Sequence, residues 1–171
     1  MTPLKRFSVL GICFVLITGT LSHFLYDWTN RNFLTGLFSP VNESVWEHMK
    51  LIFFPMLFYS LILFVKLKTE YPCIISSVCF GILTGTFLIP VLFYAYTCLL
   101  GKNVFLLDLA TFVLSAAAAF FAVYKLTESC RLKSLTPLLL ALTGALFLCF
   151  LWFSYHPPDL FLFADPAALR T

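Results

Sequence analysis

The sequence predicts an all-α membrane protein, a bundle of five transmembrane helices that makes up a single domain over residues 1–171. Two observations lead to this prediction. Of the 171 residues, 61% are hydrophobic and only 11% are charged, whereas about 25% of the residues of a typical soluble domain are charged. In addition, five apolar segments approach or exceed the roughly 20 residues that a helix needs to cross a bilayer. We therefore expect a multi-pass protein of the cell membrane that has the lipid bilayer as its surroundings.

The first two predicted spans cover residues 7–28 and 42–67. The first follows the basic sequence "MTPLKR" and continues through "HFLYDW" without an A-x-A cleavage site. We therefore predict an anchor that stays attached rather than a cleaved signal peptide. The second span begins near Asn42, in the polar stretch "NESVWEH", and its apolar part then contains no acidic residue.

The last three predicted spans cover residues 71–100, 104–126 and 137–156, and each contains small residues. The third contains "GILTG" (Gly81–Gly85), the fourth "SAAAAF" and the fifth "ALTGAL". Small residues let helix backbones approach one another closely in a membrane. Pro157 and Pro158 then stop the fifth helix, which leaves residues 157–171 as a tail.

The distribution of Lys and Arg predicts the orientation. With five spans, one side of the membrane receives seven of these residues: Lys5, Arg6, Lys66, Lys68, Lys125, Arg131 and Lys133. The other side receives four: Arg31, Lys50, Lys102 and Arg170. Because the more basic side usually stays in the cytoplasm, we predict a cytoplasmic N-terminus and an extracytoplasmic C-terminus.

Two classes of site find no support in the composition. The net charge is only +3, and no basic run indicates nucleic-acid binding. The six Cys are scattered without a C-x-x-C pair, so we read them as small apolar residues and predict neither a disulfide framework nor a Cys-bound zinc.

The ionisable residues collect at the end of the bundle that is predicted to face outward. Of the eight acidic residues, only Glu70 and Glu128 fall on the opposite side. All three His fall at the outer end, and Asp108 lies about one turn inside the fourth span. An acidic side chain inside a membrane is costly and usually faces protein or a cavity. We therefore predict that these side chains converge.

His and carboxylate groups that project from several helices are how bundles build metal sites, and they suit zinc, iron or manganese. We predict a site for a divalent metal such as zinc. Its predicted residues fall into three groups. The metal ligands are His23, Asp108 and His156, the catalytic residues are Glu43 and Glu47, and the substrate-binding residues are Asn42, Trp46 and His48.

The stretch around Glu47 has a second interpretation. Ser44-x-x-Glu47 is a capping box, in which Ser44 would cap the second helix and Glu47 would bond to the backbone. Alternatively, Asn42 is the N-cap, Val41 and Trp46 form a hydrophobic staple, and both Glu residues are free to face the bundle. In either case we expect Glu43 and Glu47 to differ, one serving the helix start and the other pointing inward.

The tail contains the apolar run Leu160–Phe163, which is too short to span a membrane. We predict that this run packs over or beside the polar cluster and forms part of its wall.

Three segments together resemble a known family. "HFLYDW", "SPVNESVWEH" and the terminal "HPPDLFLFADP" resemble a family of short, uncharacterised bacterial integral membrane proteins. The resemblance implies a membrane protein of this length and supplies no activity.

Two functions remain open. The first is a metal-dependent hydrolase that acts on a lipid or on a group at the lipid surface, with a metal that lowers the pKa of a bound water. The alternative is a non-enzymatic binding or accessory protein whose polar cluster is a structural network or a site for a ligand or partner. A transporter fits less well, because ionisable groups near the middle of the membrane are few. The sequence leaves the oligomeric state open.

Overall fold

In a computed structural model that describes residues 1–165, the chain is helical throughout. The described part contains six α-helices, two short 3₁₀ turns and no strand. The helices are α1 (Pro3–Trp28), α2 (Phe33–Phe38), α3 (Val45–Leu67), α4 (Ile74–Leu100), α5 (Phe105–Ser129) and α6 (Thr136–Phe153), and the 3₁₀ turns are Lys133–Leu135 and Phe161–Phe163. The end of the predicted tail, including Arg170, lies outside the described residues.

Five of these helices are long and apolar enough to cross a membrane, namely α1, α3, α4, α5 and α6 together with its preceding 3₁₀ turn. The predicted all-helical class and the five apolar helices are thus confirmed. The predicted ends differ from the observed ones by at most four residues. The short helix α2, between the first and second spans, is an addition that the sequence did not predict.

The long helices alternate in direction, and α3 lies at the centre. It packs against α1 and α4, while α5 packs against both α1 and α4, and α6 lies against α4. This arrangement places the end of α1, the start of α3, the end of α4, the start of α5 and the end of α6 at the same end of the bundle. We call it the polar end.

Glycine allows the close approach of α4 to α5. A Cβ atom at Gly81 would lie 2.9 Å from the carbonyl oxygen of Ala119, and one at Gly85 would lie 2.8 Å from Ala119 Cβ. Neither position has room for a side chain. The predicted packing role of "GILTG" and of the alanines in α5 is therefore confirmed.

A disulfide between Cys73 and Cys130 joins the start of α4 to the end of α5, with 5.4 Å between the two Cα atoms. The prediction that the chain has no disulfide is wrong. The two residues are 57 positions apart and become neighbours only because α4 and α5 form a hairpin. The described chain also has four free cysteines, which are Cys13, Cys79, Cys98 and Cys149.

Candidate functional site

The start of α3 is capped by Ser44. The Ser44 hydroxyl accepts a hydrogen bond from the Glu47 backbone N–H (3.3 Å), as expected for an N-cap. Asn42 supports the cap, because its side-chain oxygen accepts from the Ser44 N–H (3.0 Å). The alternative in which Asn42 is the N-cap is therefore wrong, and Glu43 precedes the helix rather than lying on its first turn.

Glu47 points into the protein and is 2% exposed. Its Oε2 atom accepts from the Val41 backbone N–H (3.0 Å) and from the Lys50 ammonium (2.6 Å). The carboxylate does not complete the capping box with Ser44, whose N–H is already taken by Asn42. Glu47 thus both points inward and serves the helix start, whereas the Glu43 side chain is 56% exposed, so the expected division of these two roles between the glutamates is wrong.

Lys50 is fully buried and makes four polar contacts. Besides Glu47, its ammonium donates to the carbonyl oxygens of Gly36 (3.0 Å) and Ser39 (3.4 Å) and to the Ser154 hydroxyl (2.5 Å). These contacts join α2 and the end of α6 to α3. A buried ion pair needs such additional hydrogen bonds, because the desolvation of each charge costs several kcal/mol. Lys50 was not among the predicted site residues and was expected as a charge outside the membrane, although its i,i+3 spacing from Glu47 is a signal for the pair.

Tyr155 adds a second anchor for α2. Its hydroxyl donates to the carbonyl oxygen of Phe33 (2.9 Å). Burial, with a smaller contribution from Tyr26, raises the pKa of Tyr155, so the hydroxyl remains a donor at neutral pH.

Glu43 lies between two histidines at the polar end. Its Oε2 atom is 3.4 Å from His48 Nε2 and 3.8 Å from His23 Nε2. The two imidazole rings are 5.2 Å apart between centroids, and one ligand atom from each of the three residues lies within 4.8 Å of the others. The side chains are partly open, at 30% exposure for each His and 56% for Glu43. We call these three residues the His–Glu–His cluster.

The tautomer of His48 follows from its second nitrogen. Nδ1 lies 2.9 Å from the Ser44 carbonyl oxygen, which can only accept, so Nδ1 carries a proton. In a neutral imidazole, Nε2 then has a free lone pair and cannot donate to Glu43. Two acceptors 3.4 Å apart repel each other unless a cation or a proton lies between them. A hydrogen bond from the other ring nitrogen to a carbonyl is also how metal-binding histidines are oriented.

Glu43 lies between two cavities. One, of about 250 Å³, lies among α3, α4 and α5, and most of the surface that lines it is apolar. Its lining is Glu43, Val45, His48, Leu51, Ile89, Phe93, Asn103, Asp108, Thr111 and Phe112. The other, of about 410 Å³, includes Asp27, Arg31 and Asn42 in its lining and is also bordered by His23 and Asp165. We call them the apolar cavity and the polar cavity.

Asp108 lies on the wall of the apolar cavity and faces Tyr96. The Tyr96 hydroxyl donates to the Asp108 carboxylate and also contacts the Asn103 side-chain oxygen (3.3 Å). Asp108 therefore shares a cavity with Glu43 and His48, while its oxygen contacts the Tyr96 hydroxyl. The sequence analysis did not single out Tyr96, which lies one turn before the end of α4.

The structure places His156 outside the cluster. It is exposed and stacks on Trp152, with 4.5 Å between ring centroids. Because α6 ends at Phe153 and Ser154 turns toward Lys50, the side chain of His156 falls on a different side of the helix end. The structure brings together His23 and Glu43 with His48, which the sequence analysis had assigned to substrate binding.

The tail packs against Trp46. The Phe163 ring lies 4.7 Å from the Trp46 ring, and Leu162 and Phe163 both contact the core. Leu160 and Phe161 are 62% and 77% exposed, although Phe161 also contacts Tyr94. Leu162 and Phe163 are therefore packed, but against the core: none of the residues Leu160–Phe163 lines the apolar or the polar cavity, so the prediction that this run forms a wall of the polar cluster is wrong. Trp46 itself is buried among aromatic rings of α6 and the tail and does not line the apolar cavity.

One of three comparisons with known proteins supports the resemblance in part, since it finds a family of unknown function. Neither the curated proteins nor the solved structures include a match to this chain. A family model described as "Family of unknown function (DUF6512)" matches residues 1–170, and the chain therefore belongs to that family.

Proposed function

We propose that this multi-pass membrane protein binds one divalent metal ion in the His–Glu–His cluster and uses it to hydrolyse a lipid or a group at the lipid surface. The observation that carries the proposal is the spacing of the three ligand atoms. Two atoms that each lie about 2.0–2.2 Å from a tetrahedral ion are about 3.3–3.6 Å apart. The Glu43–His48 and Glu43–His23 distances of 3.4 and 3.8 Å are close to this range.

The ligand types favour a catalytic metal over a structural one. Two neutral imidazoles and one carboxylate are a set that catalytic zinc sites use, with the fourth position left for water. Such a metal lowers the pKa of its bound water to about 7, which supplies a hydroxide at neutral pH. Since Glu43 borders both cavities, water would reach the metal from the polar cavity and the substrate from the apolar cavity.

The proposal is tested by the metal content and activity of the detergent-purified protein. We expect about one metal ion per chain, and the release of products from a membrane-lipid extract only when the metal is present. Glu43→Gln and His48→Ala should lose both. His156→Gln is the matched control, because this His lies at the same end outside the cluster, and it should keep both. A chain that retains no metal after exposure to zinc would overturn the proposal.

The same geometry supports one alternative, a binding or accessory protein without a metal. A doubly protonated His48 would donate from Nε2 to Glu43 and form an ion pair at the observed 3.4 Å. The cluster would then join α1 to α3 as a polar network. Elemental analysis separates the two functions, since the network requires a proton where the hydrolase requires a metal.

We also propose the orientation that the charges predict, with the polar end outside the cytoplasm. Two features oppose each other here. Seven of the eleven basic residues lie at the other end, but so does the disulfide, and disulfides are rare in the cytoplasm. We give priority to the charges, because they act while the chain inserts, whereas the disulfide forms once the helices have packed.

Cys98 provides a test of the orientation. It is free and exposed near the end of α4, at the polar end. A membrane-impermeant maleimide should label it in intact cells, and Cys98→Ser should remove the label. Labelling only after the membrane has been permeabilised would reverse the orientation.

A further inference from the structure

We infer that the substrate is a neutral carboxylic ester or amide of a long-chain lipid, and not a phosphoester; this inference rests on the proposed hydrolase. The argument starts from the charges that surround the apolar cavity. Among the described residues 1–165, its ionisable lining residues are Glu43, His48 and Asp108, and neither Lys nor Arg is part of that lining.

The cations nearest to the apolar cavity either pair with other groups or line a different cavity. Lys50 is buried and bonded to four acceptors. Arg31 pairs with Asp27 (3.4 Å) beside the polar cavity, and Lys102 lines a neighbouring cavity. Charges within the apolar cavity therefore come from two carboxylates and, in the proposed function, from one divalent ion.

This balance disfavours a phosphate group. Sites that transfer phosphoryl groups surround the anionic oxygens with Lys, Arg or additional metal ions. Here a phosphate would meet the Asp108 carboxylate instead, and like charges placed together in a site are strongly unfavourable. A carbonyl group has no net charge, so a single metal ion is enough to polarise it.

The remaining lining fits a hydrocarbon chain beside a small polar group. Leu51, Ile89, Phe93 and Phe112 make the cavity apolar, and about 250 Å³ is below the usual 300–1,000 Å³ or so of a site for a drug-sized ligand. One acyl segment therefore fits better than a complete lipid. Asn103 and Thr111 add polar groups to the wall that can orient a carbonyl oxygen.

The reaction is a hydrolysis without a redox change. A metal held by His23, Glu43 and His48 would supply a hydroxide at neutral pH; the oxygen of this hydroxide would form a bond to the carbonyl carbon, and the C–O or C–N bond of the ester or amide would break. The proton of the water is held by a carboxylate on the cavity wall and passes to the departing oxygen or nitrogen. The products are a carboxylic acid and an alcohol or amine.

Ligand binding tests the inference independently of turnover. The zinc-loaded protein is titrated with an alkyl hydroxamate, which chelates zinc through a carbonyl oxygen as a monoanion, and with an alkyl phosphonate of equal chain length, which represents an anionic phosphoester. We expect the hydroxamate to bind at least about tenfold more tightly. Asp108→Asn, with its metal content verified, should narrow this difference by improving phosphonate binding. Equal or tighter phosphonate binding to the unchanged protein would overturn the inference while leaving the metal site intact.

Turnover provides the second test. The zinc-loaded protein is incubated with three lipids of equal chain length: a monoacylglycerol, an N-acylethanolamine and a phosphatidic acid. Cleavage of an ester or amide carbonyl bond, lost in Glu43→Gln, supports the inference. Metal-dependent cleavage of the phosphate bond alone would overturn the inference and leave the proposed hydrolase standing. A metal-loaded protein that cleaves none of the three would overturn both.

Discussion

Replacement of Lys50 by Met should destabilise the protein strongly, because it leaves the Glu47 carboxylate buried without its cation. Glu47 is 2% exposed, and its remaining donor would be the Val41 N–H. The carbonyl oxygens of Gly36 and Ser39 would also lose the ammonium. Removal of one partner from a buried ion pair costs about 3–5 kcal/mol, and we expect a loss of that size in the free energy of unfolding.

A double-mutant cycle measures how much of this loss belongs to the pair. Glu47→Gln removes the stranded charge, so Glu47→Gln/Lys50→Met should be more stable than Lys50→Met alone, with a coupling energy of about 2 kcal/mol or more. The assay is reversible unfolding in mixed micelles, followed by circular dichroism. Lys102→Met is the control, since Lys102 is an exposed cation at the same end, and it should change stability by no more than about 0.5 kcal/mol.

The size of the stability loss in Lys50→Met shows whether the ion pair is shielded from water, and the metal content of Glu47→Gln shows whether Glu47 belongs to the metal site. A loss below about 1 kcal/mol, which is typical of an exposed ion pair, would show that water reaches the pair and would refute the reasoning. Glu47→Gln should keep its metal content, because Glu47 lies outside the His–Glu–His cluster and the Gln side-chain oxygen can still accept from the Val41 N–H that Glu47 now holds. A loss of metal with the fold retained would instead place Glu47 in the site that the sequence predicted.

Three further predictions concern the helix start, the disulfide and the cluster. Ser44→Ala should lower the free energy of unfolding by about 1 kcal/mol, as for a lost N-cap, with the metal content unchanged in elemental analysis. Cys73→Ser/Cys130→Ser should lower stability by at most about 4 kcal/mol, the chain-entropy value for a loop of this length. A reductant should bring the unchanged protein to the same unfolding midpoint and leave the double variant unaffected. Metal retention should fall on acidification from about pH 8 to about pH 5, because protons compete with the metal for both imidazoles; retention that does not change with pH would argue against histidine ligands.

The apolar helices could be predicted from the sequence because a helix that can cross a bilayer needs a characteristic length and composition, and five helices have both. Contacts between residues that are distant in the sequence could not be predicted in this way. The disulfide depends on the hairpin of α4 and α5, and neither cysteine lies in a recognisable motif. The short helix α2 lacks the length for a clear periodicity, and its position depends on Lys50 and Tyr155.

The composition of the site could be predicted better than its geometry. With Asn42 as the N-cap, both Glu43 and Glu47 could have faced the bundle, but α3 begins at Val45, so helical spacing does not apply to Glu43. Glu47 and His48 both lie on α3, so helical spacing applies to them, and consecutive residues on a helix are rotated by about 100° about its axis. This angle directs Glu47 toward Lys50 and His48 toward Glu43. Two polar residues next to each other in sequence thus belong to two separate networks.

These two networks depend on each other through the backbone at the start of α3. A metal site needs ligands held in a defined geometry by their surroundings, and Glu43 lies on a bend that no helix holds in place. The Asn42 side chain fixes the Ser44 N–H, and the Glu47 carboxylate fixes the Val41 N–H, one on each side of Glu43. Lys50 holds Glu47 in turn. The buried ion pair therefore acts as a positioning element for the Glu43 side chain, which explains why one short stretch contains both a stabilising network and the proposed ligands.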